Sequence, residues 1–274
     1  MNYKTNYIVN IILLLLIITN LNNIIESVPE NFMNFWQYTF PPLFISIIIS
    51  KILISLNIGH YLSLIIKNYS LRLMILSVLI GFPGNSLFIL NDYENNIIKS
   101  KDINYLICFT SLCSPIYLIN ISRRIFNNNY ISMIIIYYLI NLIICFIFAK
   151  KIKNINNTNN RINKISLVSI INESFKNIIS ICGIMMFFSS FSSLIDNPLL
   201  SGLIEFSNGL NILSLAHVSL NKKRIIYLMI LLFNSFSIHI QIANVFRNIN
   251  INYKPYILSR LIILLIGILI LIII

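Results

Sequence analysis

Two clusters of polar and helix-breaking residues interrupt apolar stretches of this sequence. Residues 81–86 read Gly-Phe-Pro-Gly-Asn-Ser, and residues 205–209 read Glu-Phe-Ser-Asn-Gly. The apolar stretch that follows each cluster also contains polar residues, in Ser-Pro-Ile-Tyr at 114–117 and in Ser-Ile-His-Ile-Gln at 237–241. Amides, hydroxyls, a carboxylate and an imidazole can bind ions or polar solutes. The pattern therefore predicts a binding site inside an apolar protein.

The clusters share one spacing. Asn85 and Asn208 are 123 positions apart, and so are Ser114 and Ser237. A single offset aligns both pairs, which favours two repeated halves.

Proline and glycine at 81–84 should interrupt a helix, because proline removes a backbone hydrogen bond and glycine lets the chain unwind. Backbone freed in this way cannot face lipid and must face protein or a wet cavity. In transporters, half-helix N-termini then face anions and unwound carbonyls face cations. The alternative is a proline kink that only shapes packing.

Glu205 is the one acid well inside an apolar segment of the second half. A carboxylate at that depth could bind a proton or cation, or accept a hydrogen bond from a solute. Its structural alternative is pairing with a buried base or with the Asn208 amide. His239 and Gln241 should point about 200° apart on a helix, so only local unwinding would aim both inward. Otherwise His239 is a packed hydrogen-bonding group.

From these patterns we predict a set of solute-binding residues and no metal or cofactor site. The set is Gly81, Pro83, Gly84, Asn85, Ser114, Glu205, Ser207, Asn208, Gly209, Ser237, His239 and Gln241. The four cysteines lie in apolar segments without CxxC spacing, which indicates small hydrophobes. The sequence has no HExxH, GxSxG or GxxxxGK[ST] motif, so we do not expect an enzyme.

Composition sets the environment of these residues. The chain has 274 residues, 57% of them hydrophobic and 10% charged, and a mean hydropathy of +0.84. Soluble domains carry roughly 25% charged residues, so the chain belongs in a membrane. Its net charge of +12 comes from bases in short loops, where they set topology and contact lipid phosphates. Scattered bases do not form a nucleic-acid-binding face. Whether the chain forms a homo-oligomer stays open.

Nine apolar segments are candidates to cross or enter the membrane. They are 7–20, 40–58, 71–90, 103–121, 130–149, 178–195, 199–217, 225–243 and 256–274. Residues 165–180 are less apolar and could lie along the interface. The predicted fold is an all-α, polytopic helical bundle. Its halves are 1–149, with broken segment 71–90, and 165–274, with broken segment 199–217, joined by a basic loop at 150–164.

The course of the broken segments decides how the halves are related. If both are re-entrant hairpins, the halves are inverted across the membrane; if both span it, the repeat is parallel. The positive-inside rule places 150–164 and the bases at 222–224 on one side, which favours a spanning segment at 199–217. Paired breaks around one site favour inversion, which is the arrangement we expect.

At these positions the chain resembles the YlbJ (SpoVV) family of sporulation integral membrane proteins from endospore-forming Firmicutes, within the nucleoside-transporter "gate" superfamily. The matching pieces are Gly-Phe-Pro at 81–83, Ser-Pro at 114–115, the run 201–209, the run 237–241, and Lys-Pro-Tyr at 254–256 with Arg260. They span about residues 70 to 262. The run Ser-Gly-Leu-Ile-Glu-Phe-Ser-Asn-Gly is the most specific of them.

The resemblance implies a gate-like inverted repeat in the outer forespore membrane, with dipicolinic acid as the transported solute. Dipicolinate is a small planar dianion, which suits half-helix N-termini and amide or imidazole donors. Two alternatives stay open. One is a nucleoside or related solute transporter coupled to Na⁺ or H⁺, with Glu205 as the coupling acid. The other is a membrane scaffold of spore assembly that transports nothing.

Overall fold

A computed structural model describes residues 3–127, 130–152 and 166–273, and all regular structure within them is helical. The helices are α1 Tyr3–Thr19, α2 Leu21–Asn34, α3 Phe40–Ser55, α4 Ile58–Ile65, α5 Tyr69–Ile80, α6 Gly84–Glu94, α7 Ser100–Thr110, α8 Pro115–Phe126, α9 Ile131–Ala149, α10 Leu167–Ser192, α11 Pro198–Ile204, α12 Phe206–Leu215, α13 Leu220–Phe233, α14 Phe236–Val245 and α15 Lys254–Ile273. A π-helical turn, Phe35–Thr39, joins α2 to α3.

Five helical stretches among the described residues are long and apolar enough to cross a membrane. They are Leu21–Ser55, Ser100–Phe126, Ile131–Ala149, Leu167–Ser192 and Leu220–Val245. Two of them, 100–126 and 220–245, each combine two helices separated by a short break. The predicted all-α, multi-pass membrane bundle is confirmed.

Two of the predicted segments have different limits in the structure. The segment predicted at 40–58 is the end of a longer helical stretch that begins at Leu21. The hypothesis that 165–180 lies along the interface is wrong, because α10 runs as one helix from Leu167 to Ser192. No proline interrupts that stretch. Lys51 of α3 pairs with Glu173 near the start of α10.

Four short breaks divide the helices that carry the polar clusters. The first lies between α5 and α6 at Gly81, Phe82 and Pro83. The second is residues 111–114, between α7 and α8. The third is Glu205, which is extended between α11 and α12. The fourth is Asn234 and Ser235, which have φ of 69° and 35° between α13 and α14. Each predicted polar cluster therefore lies at or beside a break.

The helices α11 and α12 fold back on each other as a hairpin. A Cβ atom added to Gly209 of α12 would lie 2.1 Å from Cα of Gly202 in α11, so the two backbones touch. With seven and ten residues, the helices are only about 10 and 15 Å long at about 1.5 Å per residue. Neither could cross a hydrocarbon core about 30 Å thick. The segment 199–217 is thus a hairpin rather than one spanning helix.

The first break packs directly against the second. Gly81 has φ of 78°, and a Cβ atom there would lie 2.4 Å from the backbone N and Cα of Ser114. The Phe82 N–H donates to the carbonyl of Leu112. Two hydroxyls of α3 bond the carbonyls on either side of the break: Ser46 donates to Ile80 at the end of α5, and Ser50 donates to Gly84 at the start of α6, both at 2.6 Å. The unwound backbone faces protein rather than lipid, as an apolar environment requires.

The two predicted halves share a buried apolar core, to which α5, α7, α9, α13 and α15 all contribute, whereas α10 packs with α3 in a second cluster. Hydrogen bonds also join them, from Asn234 Nδ2 to the Ser111 carbonyl at 2.7 Å and between the hydroxyls of Ser122 and Tyr227. The bond between Asn234 and Ser111 links positions 123 apart, the spacing noted in the sequence. That the halves are repeats stays a prediction. Most of the basic loop predicted at 150–164 lies outside the described residues.

Candidate functional site

All four breaks meet at one small cavity, which we call the central cavity. Its volume is about 50 Å³, enough for a few water molecules or an ion but not for an organic solute. It is lined by Thr39, Leu43, Phe82, Ser111, Leu112, Cys113, Ser114, Tyr117, Met185, Glu205, Phe206, Asn234, Ile238 and Gln241. The unwound backbone of four segments therefore surrounds one buried point.

Glu205 joins the hairpin to this cavity. Its side chain caps α12, because Oε2 accepts hydrogen bonds from the Asn208 backbone N–H at 2.8 Å and from the Ser207 hydroxyl at 2.7 Å. Oε1 has no hydrogen-bond partner, although the residue is 1% exposed. Of the two structural alternatives for Glu205, pairing with a buried base is absent among the described residues, where Lys51 and Glu173 form the ion pair. One carboxylate oxygen thus remains available at the central cavity.

Two other oxygens that line the central cavity also have no partner. They are Thr39 Oγ1 and Asn234 Oδ1, and both residues are buried. Buried polar atoms without a partner are costly. The Asn234 oxygen can only accept and the Thr39 hydroxyl can donate or accept, so both suit a bound water or cation. Among the lining residues the charged side chain is that of Glu205. The central cavity by itself therefore presents a surplus of acceptors.

A larger cavity, the Arg124 cavity, adjoins the central cavity on one side. Its volume is about 300 Å³, and its polar lining residues include Asn120, Arg124, Ser207, Asn208 and Asn211. Arg124 Nη2 donates to Asn211 Oδ1 at 2.9 Å, and the guanidinium lies 4.2 Å from the centroid of the Tyr38 ring. No acid belongs to its described lining. This volume and lining suit a small anion.

A third cavity, the Arg247 cavity, has a volume of about 410 Å³. Its lining carries Lys176 of α10 and Arg247 beyond the end of α14, with the amides of Asn177, Asn244 and Asn248. As in the Arg124 cavity, acids are absent from its described lining. Both larger cavities are therefore positively charged.

The three cavities lie next to one another in a row. Thr39, Tyr117 and Met185 line both the Arg124 cavity and the central cavity, and Phe82 and Gln241 line both the central cavity and the Arg247 cavity. The row also extends along α10, from Lys176 in one outer cavity to Ser189 in the other. At about 1.5 Å per residue these two positions are about 20 Å apart along the helix. The central cavity is the constriction between two wider, basic chambers.

Half of the predicted binding residues line this row. Ser114, Glu205 and Gln241 line the central cavity, and Ser207 and Asn208 line the Arg124 cavity. Pro83 lines the Arg247 cavity, together with Gln241. Asn208 is held in place by a bond from Nδ2 to the Ser192 hydroxyl at 2.7 Å.

His239 lies apart from the row. Its Nδ1 atom bonds the Tyr256 hydroxyl at 2.8 Å, and its ring packs edge-on against Phe233, Phe236 and Tyr256. Because α14 is helical from Phe236 to Val245, His239 and Gln241 point in different directions. The unwinding that would aim both residues inward is absent, so only Gln241 reaches the cavities.

The remaining predicted residues take part in packing. Gly81 touches Ser114, Gly84 lies against α3, and Gly209 lies against Gly202. Ser237 bonds the hydroxyl of Ser235 at 2.9 Å. Asn85 is buried with both side-chain polar atoms unpartnered and lines none of the three cavities.

Sequence reasoning missed the cations and one break. Arg124 lies in the last turn of α8 and Arg247 just beyond α14, where bases are expected for topology alone. Lys176 lies in the third turn of α10. No local sequence pattern distinguishes the bases that face a cavity. The break at Asn234 and Ser235 had a usable signal, since these polar residues interrupt the apolar segment 225–243. Arg260 of α15 was noticed only in the resemblance, yet it is 2% exposed.

Comparisons with known proteins give a limited match. A stretch of 67 residues is 40% identical to the sporulation integral membrane protein YlbJ of Bacillus subtilis (strain 168). The stretch is 24% of this chain and 16% of that protein, so the match covers about one sixth of the relative's length. No family model matches the chain, and no solved structure matches it. The protein is an integral multi-pass membrane protein that is similar to YlbJ over a quarter of its length.

Proposed function

We propose that this protein carries a small anionic solute across a membrane, with dipicolinic acid in the outer forespore membrane as the leading candidate. The row of three cavities through four helix breaks carries the proposal. Its outer chambers hold Arg124 on one side and Lys176 with Arg247 on the other. An anion that enters either chamber meets cations and amide donors.

The narrow middle suits a carrier better than a channel. A central cavity of about 50 Å³ blocks an organic solute, so passage requires the hairpin or the half-helices to move. The helix starts at Pro115 and Phe236 lie beside the breaks and are capped by the neutral side chains of Ser114 and Ser235, so their positive ends favour an anion. The start of α12 differs, because the Glu205 carboxylate already caps it. The similarity to a sporulation membrane protein supports a role in sporulation.

The test is uptake of labelled dipicolinate by liposomes that contain the full chain. Arg124→Gln should reduce uptake about tenfold, because it removes a guanidinium that can form a charge-assisted contact with a carboxylate. Arg123→Gln is the matched control: Arg123 is the neighbouring arginine, donates to the Tyr130 hydroxyl and lines none of the three cavities. Uptake that is zero for the wild type, or equal in both variants, would contradict the proposal.

A second candidate is an ion-coupled nucleoside or related solute transporter with Glu205 as the coupling acid. The unpartnered oxygens of Thr39, Glu205 and Asn234 at the central cavity favour it, since such acceptors bind Na⁺ or a proton. Uptake of nucleoside and of dipicolinate, each with an imposed Na⁺ or pH gradient, separates the candidates. If coupling occurs at Glu205, Glu205→Gln should abolish the dependence on the gradient. No uptake of either solute would favour a scaffold.

A further inference from the structure

Three charged side chains in the described part of the chain are almost fully buried: Arg72, Glu205 and Arg260. Arg72 shares its pocket with Asp92, so an opposite charge is nearby. Neither Glu205 nor Arg260 belongs to the described ion pair, which joins Lys51 and Glu173, and no base is among the described residues that line the central cavity beside Glu205. A buried charge without a partner is costly and marks a functional position in a membrane protein.

Arg260 approaches the central cavity from behind α7. Its Nη2 atom donates to the carbonyl of Cys108 at 2.8 Å, and its guanidinium lies 5.0 Å from the Tyr256 ring centroid. Cys108 is in the last turn of α7, three residues before Ser111, which lines the cavity. The cation thus stands one layer behind the second break.

Hydrogen bonding alone does not account for this arginine. One of its donors satisfies a carbonyl at the end of α7, which a neutral amide could also do. Nε and Nη1 have no partner, so most of the guanidinium is not used for local bonding. No carboxylate pairs with it among the described residues, so its charge is not neutralised locally and acts on the cavity behind which it lies.

We infer that Arg260 is the countercharge that lets an anion pass Glu205, without itself touching the solute. This inference rests on the proposed function. If Glu205 is ionised, the central cavity carries one negative charge and repels an anion. A positive charge fixed one layer behind the same cavity cancels that field, and the outer cations then determine the preference for anions. Arg260 thus affects whether the central cavity admits an anion, through its charge and without contact with the solute.

The experiment measures the KM for dipicolinate uptake by liposomes that contain the full chain. Arg260→Gln should raise the KM about tenfold, the effect of one charge about 10 Å away at an effective dielectric constant near 20. Glu205→Gln in the same chain should return the KM of the double variant to within about threefold of the wild-type value, because the repelling charge is also gone. Arg260→Lys keeps the charge and should keep the KM.

Controls separate charge from folding. Arg72→Gln removes another buried arginine, which lines a different pocket. The folded fraction of that variant should have the wild-type KM. A double variant no better than Arg260→Gln, or an Arg260→Lys protein as impaired as Arg260→Gln, would show a structural role and overturn the inference. If the wild type takes up dipicolinate and the Arg260 variants have the same KM, the role of Arg260 is overturned while the proposed function stands. Absence of wild-type uptake would remove the proposed function with it.

Discussion

The breaks at Gly81 and at Glu205 meet at the same cavity but are built differently. At Gly81 two backbones touch, and hydroxyls of α3 donate to the carbonyls of Ile80 and Gly84 on either side of the break. At Glu205 the side chain accepts hydrogen bonds from the Ser207 hydroxyl and the Asn208 backbone N–H, and polar side chains face two cavities. The first break is closed by packing, whereas the second keeps unused polar groups. This difference makes the first break a rigid contact between backbones, whereas the second leaves polar side chains facing the cavities.

The largest effect should come from filling the tight contact of the first break. Gly81→Ala adds a methyl group 2.4 Å from the Ser114 backbone at φ of 78°. Backbone strain and overpacking each cost about 1–3 kcal/mol, so most of the protein should fail to fold. The yield of monodisperse protein in detergent and its unfolding midpoint measure this.

Gly183→Ala provides the control, because Gly183 of α10 has nothing within 4 Å of an added Cβ. That variant should match the wild type or gain slightly, since alanine favours a helix. A Gly81→Ala protein as stable as Gly183→Ala would mean that the first break is not closed by packing.

An intermediate effect on stability is expected for the two asparagines that the 123-residue offset aligns, and it should differ in sign between them. Asn85 is buried with an unpartnered amide, whereas Asn208 donates to Ser192 at 2.7 Å and lines the Arg124 cavity. Asn85→Leu should therefore stabilise the protein by about 1 kcal/mol, and Asn208→Leu should destabilise it by about 1–2 kcal/mol. Uptake should fall only in the second variant.

Unfolding midpoints of the two variants, measured side by side in one detergent, check the signs. Equal losses of stability and of uptake would restore the equivalence of Asn85 and Asn208 and weaken the distinction between the breaks.

The same asparagines show what sequence could and could not predict here. Apolar length fixed the helical membrane class, and proline, glycine and one acid marked the breaks near 81–84 and at 205, because these signals are local. The sequence could not distinguish Asn85 from Asn208, since that depends on which neighbour each side chain meets after packing. It also could not say which basic residues face a cavity. Arg123 and Arg124 are adjacent, yet only Arg124 lines one, because helix rotation decides between them.

The smallest effect on uptake should come from His239, which the sequence placed among the binding residues. Its ring lies among Phe233, Phe236 and Tyr256, outside the row of cavities. Phenylalanine can occupy the same aromatic cluster, but it removes the bond to the Tyr256 hydroxyl, which costs about 1 kcal/mol. His239→Phe should therefore lower the unfolding midpoint slightly and leave the KM for dipicolinate within about twofold of the wild-type value.

Gln241→Leu is the contrasting variant, because Gln241 lies two residues along α14 and lines both the central and the Arg247 cavities. If the histidine variant lost uptake and the glutamine variant kept it, the solute path would run on the other face of α14, and the row of cavities could not be that path.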